Sequence, residues 1–450
     1  MRIRLAFPMS LGEIAAATNG QVAPPYSDKI LSFITTDSRE VFSGDLFIAL
    51  EGENHNGERF VHEVISKGAY HFSKHPPSFG VHVHDTRDGI LKLAKHYKTK
   101  FKSLKHTVAI TGSVGKTTTK EFVKTILSEK YAVHATYKNL NNTLGVPLTV
   151  LSMPKETEIL VVEMGMNSLG EISKSSICTS PTISIILNVG TSHIGRLGSR
   201  ESIAKAKLEV LDGMNKGTLL IPYGEPLLNI LSASTFDRKN ENADFRLVKG
   251  EQLSVYVKNK LFTTASFNFT DRHLLDCLIA AASVCYQTGL TSAELKAGIS
   301  KITSENIRQK IIATEDFFFL SDFYNSSPES VEAALDSLNA LTSYRRKSVL
   351  LGDILELGDM SEKIHFELGK TVAKYNFYNL YLFGKYSKNI FYGAKEANFP
   401  SERLFLNEDT SRPDVTASQI KENHIKGEII LLKASRRIKL ERILDFFQKS

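Results

Sequence analysis

Along the chain, short runs of consecutive apolar residues alternate with stretches whose apolar residues recur every three or four positions, and that alternation predicts an α/β protein. Residues 107–111 (TVAIT) are β-branched and apolar, as a buried strand requires. From Thr117 to Lys130, Phe122, Val123, Ile126 and Leu127 fall at helical spacing. EILVVEMG (158–165) and TISIILNVGTSHIG (182–195) predict two further buried strands, each running out into polar residues. Before them, residues 1–103 read as a small α/β unit, with strand-like KILSFITTDSR and GDLFIAL and helix-like RFVHEVISKGA and DGILKLAKHYKTKF. After helix-like LLDCLIAAASVCYQTGL and ELKAGISKI comes a hinge candidate, TSENIRQK. Strands and helices then alternate again through FFFLSDFYNSS, PESVEAALDSLNAL, KSVLLGDI, NLYLFG and EIILLKAS.

Composition narrows this picture only a little. A chain of 450 residues is too long for one core. The longest apolar runs fall far short of the roughly 20 residues of a membrane span, and Pro8 and Gly12 break the N-terminal apolar stretch against a signal peptide. Cys178, Cys277 and Cys285 have no metal-ligand spacing and read as buried thiols in a reducing cytoplasm. The net charge of +7 comes from scattered lysines without an aromatic–basic ladder. It suits anionic, phosphate-rich substrates at least as well as nucleic acid, so charge alone decides nothing.

Chemistry enters at GSVGKT, between the first central strand and its helix. Backbone N–H groups and the positive end of the helix dipole face any anion bound there. Gly112 and Gly115 admit phosphate oxygens close to the backbone, with Ser113 and Thr118 on the same turn. Lys116 would reach the β- and γ-phosphates, and the Thr117 hydroxyl would ligate Mg²⁺. The usual longer pattern needs a glycine at position 110, where this chain has Ile110; the loop is the shorter G-x-x-G-K-T form. It binds a nucleoside triphosphate. Ligands of open α/β sheets collect at the C-terminal ends of strands, which puts Glu163 and His193 in place to complete a Mg²⁺ site. The helix SRESIAKAKLEVLDGM carries Lys205 and Lys207, and spacing alone singles out neither.

Eight segments, in this order, resemble the Mur ligases, the ATP-dependent amide-forming enzymes of peptidoglycan precursor synthesis. They are TDSREVFSGDLFIALEGENHNGERFV, ITGSVGKTTTKEF, KNLNNTLGVPLTVL, VVEMGMNSLGEI, LNVGTSHIGRLGSRESIAKAK, DFYNSSPESVEAAL, LLGDILELGDMS and LLKASRRIKLE. The resemblance implies three domains: 1–103 for the UDP-substrate, 104–307 as the central P-loop mononucleotide-binding α/β domain, and 308–450 as a Rossmann-like α/β ligase domain. It also implies roles. Glu163 and His193 resemble the family's magnesium ligands, and Lys207 stands where the family carries a lysine carbamylated by CO₂, with Lys205 the nearby alternative. Asn141, Asn142 and Thr143 look like substrate- and phosphate-side contacts, and Ser38 and Arg39 like part of the UDP-sugar site. Asp322, Tyr324, Asn325, Lys433, Ser435 and Arg436 match segments that close over the nucleotide, with Arg308 near the hinge and His273 on the adenine side.

The chain departs from the family pattern at Asn56 and Glu58, at Leu274 and Asp276, and at Ala434, which replaces a glycine. The expected activity is ATP-dependent addition of D-alanyl-D-alanine to UDP-N-acetylmuramoyl-tripeptide through an acyl phosphate, by a cytoplasmic monomer that uses Mg²⁺ and has no nucleic-acid partner and no stable membrane insertion. A sister ligase adding a single amino acid is the nearest rival, but no D-N-P-R segment is present. A P-loop ATPase or switch that joins nothing is the rival from another class, and two flanking domains would then be surplus.

Overall fold

A computed structural model describes residues 1–52, 56–230, 232–307, 309–314, 316–323 and 326–448. Among them, three sheets occupy successive stretches of the chain. The N-terminal sheet runs in the order Arg2–Ser10, Ile30–Thr35, Leu46–Ile48, Tyr70–Ser73, Gly80–His82, Gln21–Val22, with the first and last pairings antiparallel. Its first strand, Arg2–Ser10, had no clear sequence signal because Pro8 interrupts it; a register shift between Arg4 and Met9 absorbs the break.

The central sheet has nine strands. Val133–Ala135, Ile159–Glu163, His106–Thr111, Ile183–Ile186, Thr218–Pro222, Ser234–Asp237 and Phe245–Lys249 pair in parallel, and Leu253–Val257 and Lys260–Ala265 extend the edge antiparallel. Val108, Ile110, Val161, Ile183 and Ile185 are completely or almost completely buried, which is why these strands read as unbroken apolar runs. Register decides what lies at the sheet's C-terminal edge. Ile110 pairs with Glu163 on one side and Thr111 with Ile186 on the other. The P-loop therefore leaves the sheet level with Glu163 and with the loop that carries His193.

The C-terminal sheet runs Lys310–Ala313, Phe318–Ser321, Ile429–Lys433, Lys347–Gly352, Leu380–Phe383, Leu404–Asn407, parallel except at its first pairing. Its last strand in sequence thus sits inside the sheet, between two strands made about a hundred residues earlier.

One apolar cluster runs through all three units, including Leu5 and Tyr97, Val146 and Leu160, and Val331 and Leu335. Helix Thr86–Lys98 packs on helices Gly145–Leu151 and Glu171–Thr179. There the Lys98 ammonium donates to the carbonyls of Thr179 and Ser180 at a helix C-terminus, and burial pulls its pKa down to about 8. Helix Pro328–Ala340 packs against helix Arg272–Gln287, joining the C-terminal unit to the central one. All three cysteines are free and buried, as expected for small apolar side chains. No described helix is long and apolar enough to cross a membrane.

Candidate active site

The P-loop is held open by its neighbours before any ligand arrives. Gly115 caps the helix Lys116–Leu127 with φ +85, a backbone state that a side chain at this position would strain. Asn188, just beyond strand Ile183–Ile186, pins the loop: its Oδ1 accepts from the N–H groups of Ser113 and Val114, both at 2.9 Å, and its Nδ2 donates to the Val114 carbonyl at 3.0 Å. The Gly190 N–H donates to Ser113 Oγ at 2.9 Å. Lys116 Nζ lies 2.7 Å from the Gly112 carbonyl and 3.2 Å from that of Ser113, folded back over the loop it serves.

Glu163 is buried at the end of its strand, with its backbone N–H bonded to Thr136 Oγ1 at 2.9 Å. Its carboxylate accepts from the Thr117 hydroxyl at 3.0 Å and from Asn141 Nδ2 at 2.7 Å. A carboxylate and a hydroxyl facing each other beside a phosphate loop form an oxygen donor set of the kind Mg²⁺ takes.

Burial separates the two candidate lysines. Lys205 is exposed on helix Arg200–Leu208, whereas Lys207 is 2 % exposed. Burial, reinforced by the nearby Lys116 ammonium and opposed by Glu329, drives the Lys207 pKa well below the usual lysine value. That shift favours the neutral, nucleophilic form of the amine. His193, at the N-cap of the short helix Ile194–Leu197, donates from Nδ1 to Glu356 Oε2 at 2.8 Å. Burial lowers its pKa more than the Glu356 carboxylate raises it.

A cavity of about 570 Å³ joins most of the sequence candidates. Gly112, Ser113, Gly115, Lys116, Thr117 and Thr118 form one wall, and Glu163, His193 and Lys207 a second. Asn141, Asn142 and His273 face it from the central unit, and Asp322 and Lys433 from the C-terminal unit. Lys433 Nζ, itself buried, is 3.4 Å from Asp322. Asn142 also shapes the backbone, since its Oδ1 accepts from the N–H groups of Leu144 and Gly145 and starts the next helix. Ser435 and Arg436 line a smaller cavity of about 100 Å³ that shares His193 with the first. Thr143 lines neither. Ser38 and Arg39 lie apart, in the N-terminal unit, where Arg39 is folded onto Asp37 at 2.6 Å. Tyr324, Asn325 and Arg308 lie outside the described residues.

The departures from the family pattern have structural explanations. Asp276 is bonded to Arg238 at 3.0 Å, an ion pair at the mouth of a 370 Å³ cavity behind the P-loop. Leu274 is buried, and its N–H donates to the helix-capping Asp271. Asn56 caps a 3₁₀ turn by accepting from the Glu58 N–H, and the Glu58 carboxylate accepts from the Lys74 N–H at 3.0 Å. Ala434 is fully buried and does not adopt a positive φ, so the side chain fits without backbone strain.

Three residues of the site escaped the sequence: Asn188, Glu356 and Glu329. Glu329, at the start of helix Pro328–Ala340, crosses to the central unit and accepts from the N–H and the hydroxyl of Thr191, at 2.5 and 2.8 Å. For Asn188 a signal existed, a polar residue directly after a buried strand next to the P-loop. The two glutamates act from the far end of the chain, and nothing local marks them.

Comparison with known proteins identifies the family. Residues 110–283 match the Mur ligase middle domain and residues 30–104 the Mur ligase family catalytic domain. The chain is 34% identical over 447 residues to the UDP-N-acetylmuramoyl-tripeptide–D-alanyl-D-alanine ligase of Bacillus subtilis, covering 96% of each. It is 27% identical to the Escherichia coli ligase of the same name, covering 98% of this chain and 99% of that one. Among solved structures, a crystal structure of MurF from Acinetobacter baumannii superposes with a TM-score of 0.87 at 26% identity, covering all of both chains. MurF from Thermotoga maritima in complex with ADP superposes with a TM-score of 0.80 at 26% identity, covering 92% of this chain and 97% of that one.

Proposed function

The chain belongs to the Mur ligase family, and from that premise we propose that it joins D-alanyl-D-alanine to UDP-N-acetylmuramoyl-tripeptide with ATP, a step of peptidoglycan precursor synthesis. One observation carries the reading. In a chain that aligns with such a ligase over nearly its whole length, a single cavity on the P-loop brings Lys116, Glu163 and the buried Lys207 together with Asp322 and Lys433 from the C-terminal unit.

A carboxylate is a poor acyl donor, so the peptide carboxylate has to be activated. In the first step a carboxylate oxygen takes the γ-phosphoryl group and ADP departs, leaving an acyl phosphate. The dipeptide amine then attacks the carbonyl carbon, loses a proton, and inorganic phosphate leaves with the bridging oxygen. The protein's part is to hold the reactants in line and to neutralise charge. Lys116, held over the loop by the Gly112 and Ser113 carbonyls, is the cation that would meet the β- and γ-phosphates. Asn188 fixes the shape of the loop by taking the Ser113 and Val114 N–H groups, so that the N–H groups at the start of helix Lys116–Leu127 are left for phosphate, and Lys433 adds positive charge from the C-terminal side.

The oxygen donors fit magnesium, which when bound would share the triphosphate's negative charge. Thr117, Glu163 and His193 would hold it, together with Lys207 once CO₂ has converted its amine into a carbamate. Two properties of Lys207 support carbamylation: burial disfavours the charged form of its amine, and the side chain is almost wholly buried at the wall of the cavity. Ser435 and Arg436, in the cavity that shares His193, would contact substrate where the C-terminal segments close over the nucleotide. Ser38 and Arg39 would form part of the UDP-sugar site. The enzyme works in the cytoplasm, where ATP and nucleotide-linked precursors are found.

The test is phosphate release by the purified protein with Mg²⁺-ATP and the UDP-linked tripeptide, with and without D-alanyl-D-alanine. The expected result is release that depends on the dipeptide, with a product heavier by the dipeptide less one water. Release equally fast without either co-substrate would overturn the ligase reading and leave a P-loop ATPase.

A further inference from the structure

Two side chains with left-handed backbones meet across the boundary between the central and C-terminal domains. His193 has φ 65 and Glu356 has φ 68. Such a backbone is costly away from glycine and persists where the surroundings enforce it, often at functional sites. Here the two residues enforce each other. His193 Nδ1 is 2.8 Å from Glu356 Oε2, and the Gly195 N–H donates to the Glu356 carbonyl at 3.1 Å. A Cβ on Gly195 would stand 2.5 Å from Gly358 N and 2.6 Å from Glu356 O, so the two backbones touch with no side chain between them. The other carboxylate oxygen of Glu356 faces Arg196 at 3.7 Å and Arg437 at 3.6 Å, which leaves Oε2 to the imidazole. Glu329 grips the same loop two residues earlier, at Thr191.

An ionised carboxylate only accepts hydrogen bonds. The proton of the His193–Glu356 bond therefore sits on Nδ1, and Nε2 keeps the lone pair that a metal needs. From this geometry we infer that Glu356 is a positioning residue: closure of the C-terminal domain delivers it to His193, and it fixes the ring and the tautomer in which that histidine can bind metal. The metal site is then finished by domain closure rather than by the central domain alone. This rests on the reading of His193 as a metal ligand.

The test uses Mn²⁺ as a paramagnetic probe, titrated into full-length protein saturated with a non-hydrolysable ATP analogue and read by electron paramagnetic resonance. Three variants are compared with wild type: Glu356→Ala, the isosteric Glu356→Gln as a guard against misfolding, and Gly195→Ala, which keeps every metal-side group but holds the two backbones apart. We expect the Glu356→Ala and Gly195→Ala variants to bind Mn²⁺ about 10–100-fold more weakly, the usual cost of losing a histidine's supporting carboxylate. Glu356→Gln should fall between them and wild type. ATP affinity without metal should stay within about twofold, because the P-loop is untouched. Mn²⁺ affinity within twofold of wild type in both Glu356 variants would overturn the proposal. Weakening in Glu356→Ala with none in Gly195→Ala would overturn the link to closure. A wild-type protein that binds no Mn²⁺ would overturn the metal reading itself, a result the variants cannot mimic.

Discussion

Asn188 offers a sharp test of how the phosphate loop is prepared, because two substitutions there should separate loop order from nucleotide affinity. In Asn188→Ala the Val114 N–H loses its acceptor and the Val114 carbonyl loses its donor, while the Ser113 N–H keeps a longer bond of 3.3 Å to the Asn188 backbone carbonyl. One orphaned donor and one weakened one, in a half-buried loop, cost about 1–2 kcal/mol. That loss should appear both as a melting temperature lowered by a few degrees and as ATP bound about 5–30-fold more weakly. In Asn188→Asp both N–H groups keep an acceptor, now a charged one, which offsets the lost Nδ2 donor, so the melting temperature should move little. The new charge, however, lies just behind the loop, lining the 370 Å³ cavity. Like charges about 7 Å apart at an effective dielectric constant of about 20 oppose each other by about 2 kcal/mol, and ATP should bind at least ~30-fold more weakly. Equilibrium binding of ATP and thermal melting of the two variants against wild type decide the matter. If Asn188→Asp binds ATP as wild type does, the triphosphate does not lie against this loop and the reasoning fails.

Lys207→Ala should lose about 10²-fold or more of activity, whereas exposed Lys205→Ala should keep the wild-type rate. Stripping CO₂ from the buffer should slow the wild type, bicarbonate should restore it, and indifference to both would refute the carbamate. The C-terminal domain should also show a distinctive pH response through Asp353, which is buried and accepts from the Tyr386 N–H at 3.0 Å. Burial raises its pKa to about 6, so the folded state holds the proton more tightly than the unfolded state. The stability from this group is complete below pH ~4 and is lost as pH rises through 6, about 3 kcal/mol in all. Urea unfolding of wild type and Asp353→Asn at pH 4.5 and 7.5 should show the wild type relatively more stable at the lower pH, and a pH-independent difference would refute the assignment.

What the sequence revealed was local chemistry. The P-loop, Glu163 and His193 each follow an apolar run at the end of a parallel strand, and topology guarantees that such strand ends gather on one edge. The choice between Lys205 and Lys207 was beyond spacing, since both lie on a helix of low amphipathicity; burial against the P-loop wall makes it. Glu329 and Glu356 were illegible for a different reason. Their partners Thr191 and His193 lie well over a hundred residues away, and a glutamate near a helix start is ordinarily a dipole-complementing surface residue. The antiparallel edge formed by Leu253–Val257 and Lys260–Ala265 also went unread, because its short strands mix buried with half-buried and exposed positions and so lack the unbroken apolar run of the central strands.

The placement of Ile429–Lys433 inside the C-terminal sheet bears on how the protein is made. Chains emerge from the ribosome N-terminus first, and domains fold as units in that order. Later strands insert beside earlier ones in the central sheet too, where Ile159–Glu163 enters between His106–Thr111 and Val133–Ala135. The wait is longest in the C-terminal sheet: Phe318–Ser321 and Lys347–Gly352 each keep one edge unpaired for a strand that comes about eighty residues after the second of them. Until it arrives, the nascent chain carries two apolar strand edges open to mispairing. Lys433, which lines the cavity on the P-loop, ends that same strand. The last piece of the sheet to be synthesised is therefore also a piece that completes the wall of this cavity, so a half-made chain can present a finished phosphate loop but not a working ligase.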